Sequence, residues 1–239
     1  MSLIKEVVFI SPMYNAKPHL AELVESLQEQ SNPNWRHIIV DDMSTDGSWE
    51  YACKLSKDDD SIEVRKNKEK DWALKNIVKI AREFENRDDV IIAVIDADDT
   101  LCNENTVDLL INAYDDEIDT VWTAHSWDIN SMNISRELPE KINPYQFPWV
   151  SSHLKTWRAS LLKSVPNNNF KNLDGEWFRR GYDQALYLPL LYKSRQRLFI
   201  DEICYLYRIN SKSTQHENQK QISEYQMNTI RLVRARGLV

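Results

Sequence analysis

Three carboxylates crowd the end of an apolar run in the middle of the chain. The run from Val90 to Ile95 has the length and β-branching of a buried strand, and Asp96, Asp98 and Asp99 follow it. Carboxylates this close repel one another unless a cation lies between them. Mg²⁺ and Mn²⁺ prefer oxygen ligands and commonly bridge a protein to diphosphate oxygens. The spacing therefore predicts a metal–diphosphate site, with a polar turn that caps the next helix as the alternative.

A second acidic pair follows an earlier strand pattern. Asp41 and Asp42 come directly after the predicted strand from Trp35 to Val40. In an open α/β sheet the carboxyl ends of parallel strands share one edge, and ligands bind there. We therefore expect this pair on the same edge as Asp96, where it could accept hydrogen bonds from a nucleoside base or ribose. A turn closed by an Asx hydrogen bond is the alternative interpretation.

Strand and helix patterns alternate through the first half of the chain and position these acids. Each β-branched run ends in a polar loop and is followed by apolar residues at helical spacing. This alternation predicts an α/β fold with a mostly parallel central sheet and helices on both faces. Strands are predicted at residues 6–11, 35–40, 62–65, 90–95 and 119–123, and helices at 20–30, 48–55, 71–85, from 105, and at 218–236.

Composition narrows the class of protein. The chain has 239 residues and a net charge of −7, which indicates neither a nucleic-acid surface nor attraction to anionic membranes. Cys53, Cys102 and Cys204 lack metal-ligand spacing and indicate reduced thiols. No apolar run reaches the length of a membrane span, and the first residues lack the pattern of a signal peptide. We therefore expect a cytoplasmic protein with no transmembrane segment and no nucleic-acid partner.

Glycine usage constrains how phosphates can be held. The four glycines of the chain form neither a Gly-x-Gly-x-x-Gly motif nor a Walker loop. A glycine-rich backbone therefore cannot cradle phosphates here. A metal at the acidic cluster has to supply more of the charge neutralisation.

Four segments together resemble the family 2 glycosyltransferases, which are inverting enzymes of the GT-A fold. In chain order they are Pro12-Met13-Tyr14-Asn15 for the first-strand motif, Val40 to Gly47 for the base-binding loop, Ala73-Leu74-Lys75-Asn76 where the family usually has Ala-x-Arg-Asn, and Ile95 to Asp99 for the metal motif. The resemblance covers residues 5 to about 125. It implies a GT-A-type, Rossmann-like sandwich. It also implies an inverting, Mn²⁺- or Mg²⁺-dependent transfer of a sugar from a nucleotide-diphosphate sugar, with a UDP-sugar favoured, to a hydroxyl of a saccharide or other acceptor.

The resemblance also implies roles for individual residues. Asp183 matches the position of the family's catalytic base, and Asp96, Asp98 and Asp99 would hold the metal. Residues 1–120 would form the half of one domain that binds the nucleotide sugar, and residues 121–239 the half that binds the acceptor. The residues expected to contact the nucleotide sugar are Pro12, Tyr14, Asp41, Asp42, Lys75, Asp96, Ala97, Asp98, His153 and Arg208.

Several of these residues keep a structural alternative. His153 equally fits a histidine with a purely structural hydrogen bond. Asp183 fits the cap of a helix that begins at Gln184. Trp149 and Trp177 are candidate stacking platforms for the acceptor sugar, although tryptophan is more often part of a core.

Two positions depart from the family pattern. Tyr182 stands where the family usually has Glu, which removes one expected acid. Asn210 stands where the family's C-terminal motif has His, and the spacing of His216 does not match that motif. This segment therefore lacks the expected metal ligand at the matching position. Arg208 remains a candidate for neutralising the leaving diphosphate.

Two other functions fit parts of the same pattern. The segment Val94 to Leu101 also matches the first motif of haloacid-dehalogenase-type phosphohydrolases, in which Asp96 would be the nucleophile. Three strand–helix units precede it, whereas that motif usually opens its domain. A non-catalytic module that binds a nucleotide sugar would keep the acidic edge and dispense with Asp183.

Overall fold

The hydrophobic residues of the central strands alternate between two cores, as expected for a sheet covered on both faces. The computed structural model describes residues 4–209 and 219–239. In the first strand Val8 and Ile10 enter one core while Val7 and Phe9 enter the other. The fourth strand repeats this alternation, so both faces of the sheet are buried.

The described residues form eight strands and six α-helices. The strands are β1 (Glu6–Met13), β2 (Trp35–Asp41), β3 (Ile62–Lys66), β4 (Val90–Val94), β5 (Thr100–Leu101), β6 (Ile118–Trp127), β7 (Lys155–Arg158) and β8 (Gln196–Tyr207). The helices are α1 (Leu20–Gln28), α2 (Ser48–Leu55), α3 (Trp72–Glu83), α4 (Thr106–Ala113), α5 (Tyr182–Lys193) and α6 (Gln219–Arg236). Two 3₁₀ helices, Ala159–Ser164 and Asn167–Phe170, lie between β7 and α5.

The strands form one sheet in the order β3-β2-β1-β4-β7-β6-β8-β5. Neighbours among β3, β2, β1 and β4 are parallel, and Asp41 lies opposite both Met13 and Lys66. The carboxyl ends of these four strands therefore meet at one edge, which we call the carboxyl edge. β7 is inserted antiparallel between β4 and β6, with Lys155 opposite Val94. This register places Lys155 beside Val94, the last residue of β4, and Asp96 follows Val94 by two residues.

The helices cover both faces of the sheet. One core holds buried residues of α3, α5 and α6 together with the 3₁₀ segments. The other holds buried residues of α1, α2 and α4. Leu23 of α1 and Leu190 of α5 are fully buried, one in each core. Each such side chain contributes about 1.5–3 kcal/mol through removal of apolar surface from water.

The structure corrects the predicted elements in three places. The predicted strand at 119–123 is part of a longer strand, and β5, β7 and β8 were not predicted as strands. α5 begins at Tyr182 with Gly181 before it, so Asp183 lies in the first turn and does not cap a helix that starts at Gln184. The α/β sandwich, the first four strands and the helices between them are confirmed.

Two further expectations concern the C-terminal motif and the presence of a transmembrane segment. Asn210 and His216 lie outside the described residues. Among the helices within the described ranges, none combines the length and hydropathy that a membrane span requires.

Candidate active site

Asp96 lies at the centre of a charged cluster on the carboxyl edge. Its Oδ1 accepts a hydrogen bond of 2.5 Å from the Tyr182 hydroxyl, and its backbone N–H donates to the Tyr205 hydroxyl at 3.1 Å. Burial raises the pKa of Asp96 to about 6; the Lys155 ammonium opposes this rise, and the carboxylates of Asp183 and Asp98 add to it. Acids from β4 and α5 therefore share one electrostatic environment.

Lys155 is a buried cation between the two acidic elements. Its side chain is only 1% exposed. The Nζ atom donates to Asp183 Oδ1 at 2.7 Å and to the Ser152 carbonyl at 2.9 Å. A buried lysine is rare unless it is paired, and Asp183 supplies the pair. The ion pair orients the carboxylate that the sequence indicates as the catalytic base.

His153 belongs to an aromatic stack behind this ion pair. Its ring stacks on Tyr205 and Tyr207 with centroid distances of 4.6 and 5.0 Å. Its Nδ1 lies 3.3 Å from Lys155 Nζ, and an ammonium group can only donate, so Nδ1 is the acceptor. Burial, the Lys155 charge and the neighbouring His125 hold the pKa of His153 well below its usual range. His153 is therefore a neutral ring that packs against β8.

Asp99 is the buried acid of the metal motif, and both of its oxygens are hydrogen-bonded within the protein. It is 1% exposed, and its two oxygens accept hydrogen bonds from the Tyr205 hydroxyl at 2.6 Å and the Arg208 backbone N–H at 2.7 Å. Burial raises the pKa of Asp99, and the nearby carboxylates of Asp96 and Asp98 raise it further. In this arrangement Asp99 ties the loop after β4 to the end of β8.

The two acids after β2 have different environments. Asp42 accepts three hydrogen bonds of 2.8–2.9 Å, from the Asn67 side chain and the backbone N–H groups of Asp71 and Trp72. Asp41 accepts one bond of 3.3 Å at Oδ1, from the Ser44 backbone N–H. Its buried Oδ2 has no hydrogen-bond partner among the described residues. Asp42 thus organises the loop before α3, while Asp41 retains an unused acceptor.

The remaining expected donor contacts lie around the same edge. Pro12 lies near the end of β1, and Ala97 is buried between two of the metal-motif acids. Tyr14 follows β1 with its side chain exposed. The Lys75 ammonium forms an ion pair with Asp71 across one turn of α3. The guanidinium of Arg208 contacts His19 and Glu22 of α1, so it would have to exchange these partners to reach a diphosphate.

The two candidate tryptophan platforms are half-buried. Trp149 and Trp177 both pack against the core that contains α5. The Trp177 ring also stacks on Phe170, with an interplanar angle of 8° and centroids 6.1 Å apart. Both tryptophans are therefore held partly by core contacts.

The donor set fits a divalent cation that arrives with a phosphate ligand. Within residues 4–209 and 219–239, no three His, Cys, Asp or Glu side chains lie close enough to hold a metal by themselves. Mg²⁺ is usually held by one or two carboxylates together with substrate phosphates and water. Asp98, half-buried at the carboxyl edge next to Asp96, suits this mode of binding.

Sequence reasoning missed two residues of this site. Tyr182 was noted only as a departure from an expected acid, yet its hydroxyl binds Asp96 directly. Lys155 was not singled out, although a lysine among Leu154, Thr156 and Trp157 is an unusual charge within an apolar segment. That contrast was the available signal, since lysine is almost never fully buried without a partner.

Comparison with known proteins identifies a matching family. Residues 8–182 match the profile described as Glycosyl transferase family 2. The chain belongs to glycosyltransferase family 2. The family assignment displaces the phosphohydrolase interpretation of the segment around Asp96, which lies within the matched region.

Individual relatives extend the comparison. The glycosyltransferase GlyG of Streptococcus pneumoniae serotype 4 is 26% identical over 226 residues, which cover 85% of this chain and 71% of GlyG. Matches to TuaG and EpsE of Bacillus subtilis (strain 168) are 43% identical over 58 residues and 40% identical over 67 residues. This family 2 chain therefore aligns with only 23% of the length of each of those two proteins.

Solved structures confirm the GT-A sandwich of this family 2 chain. S. aureus TarS in complex with UDP-GlcNAc superposes with a TM-score of 0.67 at 18% identity, over 95% of this chain and 66% of that one. The mannosyltransferase PcManGT from Pyrobaculum calidifontis in complex with GDP-Man and Mn²⁺ gives a TM-score of 0.65 at 15% identity, over 98% of this chain and 64% of that one. At these identities the similarity establishes the fold.

Proposed function

We propose that this family 2 glycosyltransferase moves a sugar, with inversion, from a nucleotide-diphosphate sugar to an acceptor hydroxyl, with Mn²⁺ or Mg²⁺ as cofactor. The observation that carries the proposal is the convergence of Asp96, Asp183 and Lys155 on the carboxyl edge. Residues 1–120 would bind the donor and residues 121–239 the acceptor. A UDP-sugar is the first donor to test, because TarS is solved with UDP-GlcNAc.

In this proposal Asp41 is the main acid that recognises the nucleoside. Its buried Oδ2 is an acceptor without a partner in the described structure, and a base N–H would satisfy it. Asp42 contributes indirectly, because its three hydrogen bonds fix the loop that leads into α3, the helix that carries Trp72 and Lys75. Pro12 and Tyr14 would flank the base at the end of β1.

Asp98 and Asp96 would hold the metal, while Asp99 supports the loop from within. The two oxygens of Asp99 are already used by Tyr205 and the backbone of Arg208. Tyr182 keeps Asp96 Oδ1 oriented. When bound, the metal would neutralise charge on the diphosphate leaving group.

Asp183 would act as the general base. Lys155 occupies its Oδ1, which leaves Oδ2 to take the proton from the acceptor hydroxyl. As that proton moves to Oδ2, the acceptor oxygen forms a bond to the anomeric carbon and the bond from that carbon to the diphosphate oxygen breaks. The side chain of Asp183 is 35% exposed, so an acceptor can approach it.

Calorimetric titration with UDP tests the donor and metal parts of the proposal. Wild-type protein should bind UDP more tightly with Mn²⁺ than with a chelator. Asp98→Asn should lose most of that difference, because the amide is neutral and a weaker metal ligand. The matched control is Asp60→Asn, an exposed acid just before the amino end of β3, which should retain the metal effect. Equal UDP affinity with Mn²⁺ and with chelator in the wild type would refute the metal role.

A further inference from the structure

Three cationic side chains surround one tryptophan beside the carboxyl edge. The Lys70 ammonium lies 5.0 Å from the ring centroid of Trp72, and the guanidinium carbons of Arg179 and Arg180 each lie 5.9 Å from it. Lys70 also lies 3.0 Å from the ring centroid of Tyr14. We call these five residues the Trp72 cluster. No expected donor contact other than Tyr14 belongs to it.

The positive charge of the Trp72 cluster is poorly balanced. Neither Lys70 nor Arg180 forms an ion pair with any described residue, and Arg179 has one partner, Glu176, at 3.5 Å. Both side chains of that pair are more than half exposed, so solvent screens it. Like charges held together disfavour one another, and an anion between them would relieve the repulsion. The imbalance is notable in a protein with a net charge of −7.

The backbone holds Trp72 in an unusual conformation. Its φ angle is +63°, in the left-handed region that bulky residues rarely adopt. The Trp72 backbone N–H donates to Asp42 Oδ2 at 2.9 Å, which fixes the residue at the start of α3. Such outliers persist where the surrounding structure enforces them, and they concentrate at ligand sites. Here the result is an indole ring presented to three cations at the surface.

The position of the cluster links it to the reaction site. Arg179 and Arg180 directly precede Gly181 and Tyr182, and Tyr182 contacts Asp96. Arg180 is three residues before Asp183, on the segment that leads into α5. The segment that carries two cations of the cluster therefore leads directly into the helical turn that carries Asp183.

From this arrangement, and resting on the proposed function, we infer that the acceptor is an anionic saccharide whose phosphate or carboxylate group binds the Trp72 cluster. The arginine forks suit planar or tetrahedral oxyanions through paired hydrogen bonds. The Trp72 ring offers an apolar face for the adjoining sugar. The donor's own diphosphate is the other possible source of such an anion, and the experiment separates the two.

Binding of charged and neutral saccharides tests the inference without turnover. The probes are trigalacturonate and its neutral methyl ester, together with glucose 6-phosphate and glucose. The variant Arg179→Gln/Arg180→Gln is compared with Lys5→Gln/Arg87→Gln, which removes the same charge from two cations that contact Asp89 at the opposite edge. Calorimetry gives affinities, and the ¹⁵N indole signal of Trp72, assigned with Trp72→Phe, locates the ligand.

We expect wild-type protein to bind at least one charged probe at least about tenfold more tightly than its neutral counterpart, and the difference to shrink at high salt. The Arg179/Arg180 variant should lose that preference, while the Lys5/Arg87 control keeps it, and the Trp72 signal should move. No preference in the wild type, or equal loss in both variants, would overturn the inference. An equal loss of UDP–Mn²⁺ affinity in the Arg179/Arg180 variant would instead assign the cluster to the donor and also overturn it. Absence of UDP binding by the wild type would count against the proposed function and leave the saccharide result readable.

Discussion

The acids of the carboxyl edge are balanced in part by a cation that the protein itself provides. Crowded carboxylates predict a cation between them, and the sequence suggested a metal for that place. The structure adds the Lys155 ammonium, which is buried, bonded to Asp183 and close enough to oppose the rise that burial causes in the pKa of Asp96. The two cations would have different tasks. Lys155 orients the carboxylate on the acceptor side, while a metal at Asp98 would face the diphosphate.

Replacement of Asp183 by Asn tests the catalytic base. The amide keeps the shape and can still accept from Lys155 through its carbonyl oxygen, but it cannot take a proton. Turnover should fall by about 10²-fold or more while UDP affinity stays close to wild type. The buried Lys155 ammonium loses its counter-charge in this variant, so the melting temperature should also fall, and UDP affinity close to wild type would show that the donor site is still folded. Near-normal turnover with a working donor and acceptor would place the base elsewhere, with Asp174 and Glu176 next to be examined.

Lys155→Met is the companion variant. Methionine fills a similar volume and removes the charge that holds Asp183 Oδ1. If Lys155 positions the base, turnover should fall by about tenfold with UDP affinity unchanged, a smaller loss than in the asparagine variant because the base is still present. An equal loss of UDP affinity would indicate a general structural role.

Single residues were predictable where a motif placed them and less so where neighbours decide their role. Asp96, Asp98 and Asp183 lie together at the predicted edge. The roles of Asp41 and Asp42 depend on which of them is already hydrogen-bonded, and this requires the position of Asn67 and the turn before α3. Adjacent residues of the same type cannot be separated by sequence pattern alone.

At the scale of elements, a buried histidine joins three parallel strands beneath the site. The Ser11 hydroxyl on β1 donates to the Ile95 carbonyl after β4 at 2.7 Å, so His37 Nε2 on β2 must donate to Ser11 Oγ at 2.8 Å. The His37 Nδ1 atom then carries no proton and has no partner among the described residues. Burial lowers the pKa of His37 to about 3, and the ring stays neutral.

This histidine should make the stability of the protein sensitive to acid. In the unfolded chain His37 takes up a proton near the ordinary histidine pKa of 6.5. In the folded protein it stays neutral until the pH falls to about 3. Stability is therefore lost as the pH falls through this window, by up to about 1.4 kcal/mol per pH unit. His37→Gln keeps a donor for Ser11 and cannot take up the proton. Urea unfolding between about pH 6 and pH 4 should show a flatter pH dependence for the variant.

The test compares the pH dependence of the unfolding free energy between wild-type protein and His37→Gln. Asp96 and Asp99 have raised pKa values, so their protonation stabilises the folded protein as the pH falls. Burial lowers the pKa of His125 to about 4, so His125 destabilises the folded protein on acidification, as His37 does. These groups are common to both proteins and cancel in the comparison. Parallel pH profiles would show that His37 is not responsible.

Regular elements were predicted best where one pattern dominates. The strands β1, β2 and β4 are buried on both faces along most of their length, so their apolar runs stand out from the helical spacing between them. β8 was missed because charged and polar residues interrupt it and much of it is half-buried or exposed. β7 has only four residues, and its antiparallel position depends on pairing with β4 and β6, which local sequence does not report.

At the scale of the whole molecule, α6 connects distant segments of the second half of the chain. Arginines near the C-terminus of a helix can be stabilised by the dipole of their own helix alone. Arg234 instead donates to the Gln184 side chain at 2.7 Å and to the carbonyls of Tyr145 and Phe147 at 2.9 and 2.8 Å. Arg236 reaches the carbonyls of Lys171 and Asn169. Long-range contacts of this kind cannot be derived from helical periodicity.

The Arg234 side chain therefore connects the loop before β7 to the first turn of α5. Gln184 is the neighbour of Asp183, so this contact connects the turn that carries the proposed base to α6. Arg234→Met removes three hydrogen bonds and leaves the carbonyls of Tyr145 and Phe147 with only water as a donor. We expect a loss of about 2–3 kcal/mol in the free energy of unfolding.

A matched variant on the same helix separates this tertiary effect from helix propensity. Arg231 is exposed, and Arg231→Met makes the same chemical change without these contacts. For a domain of this size, Arg234→Met should lower the melting temperature by about 4–12 °C and Arg231→Met by far less. Hydrogen exchange should also accelerate around Tyr145 and Phe147 only in Arg234→Met, because the arginine restrains that loop by its carbonyls. Equal shifts in both variants would mean that α6 stabilises the fold through its helix alone, and the support for α5 would then have to come from the buried side chains of the core.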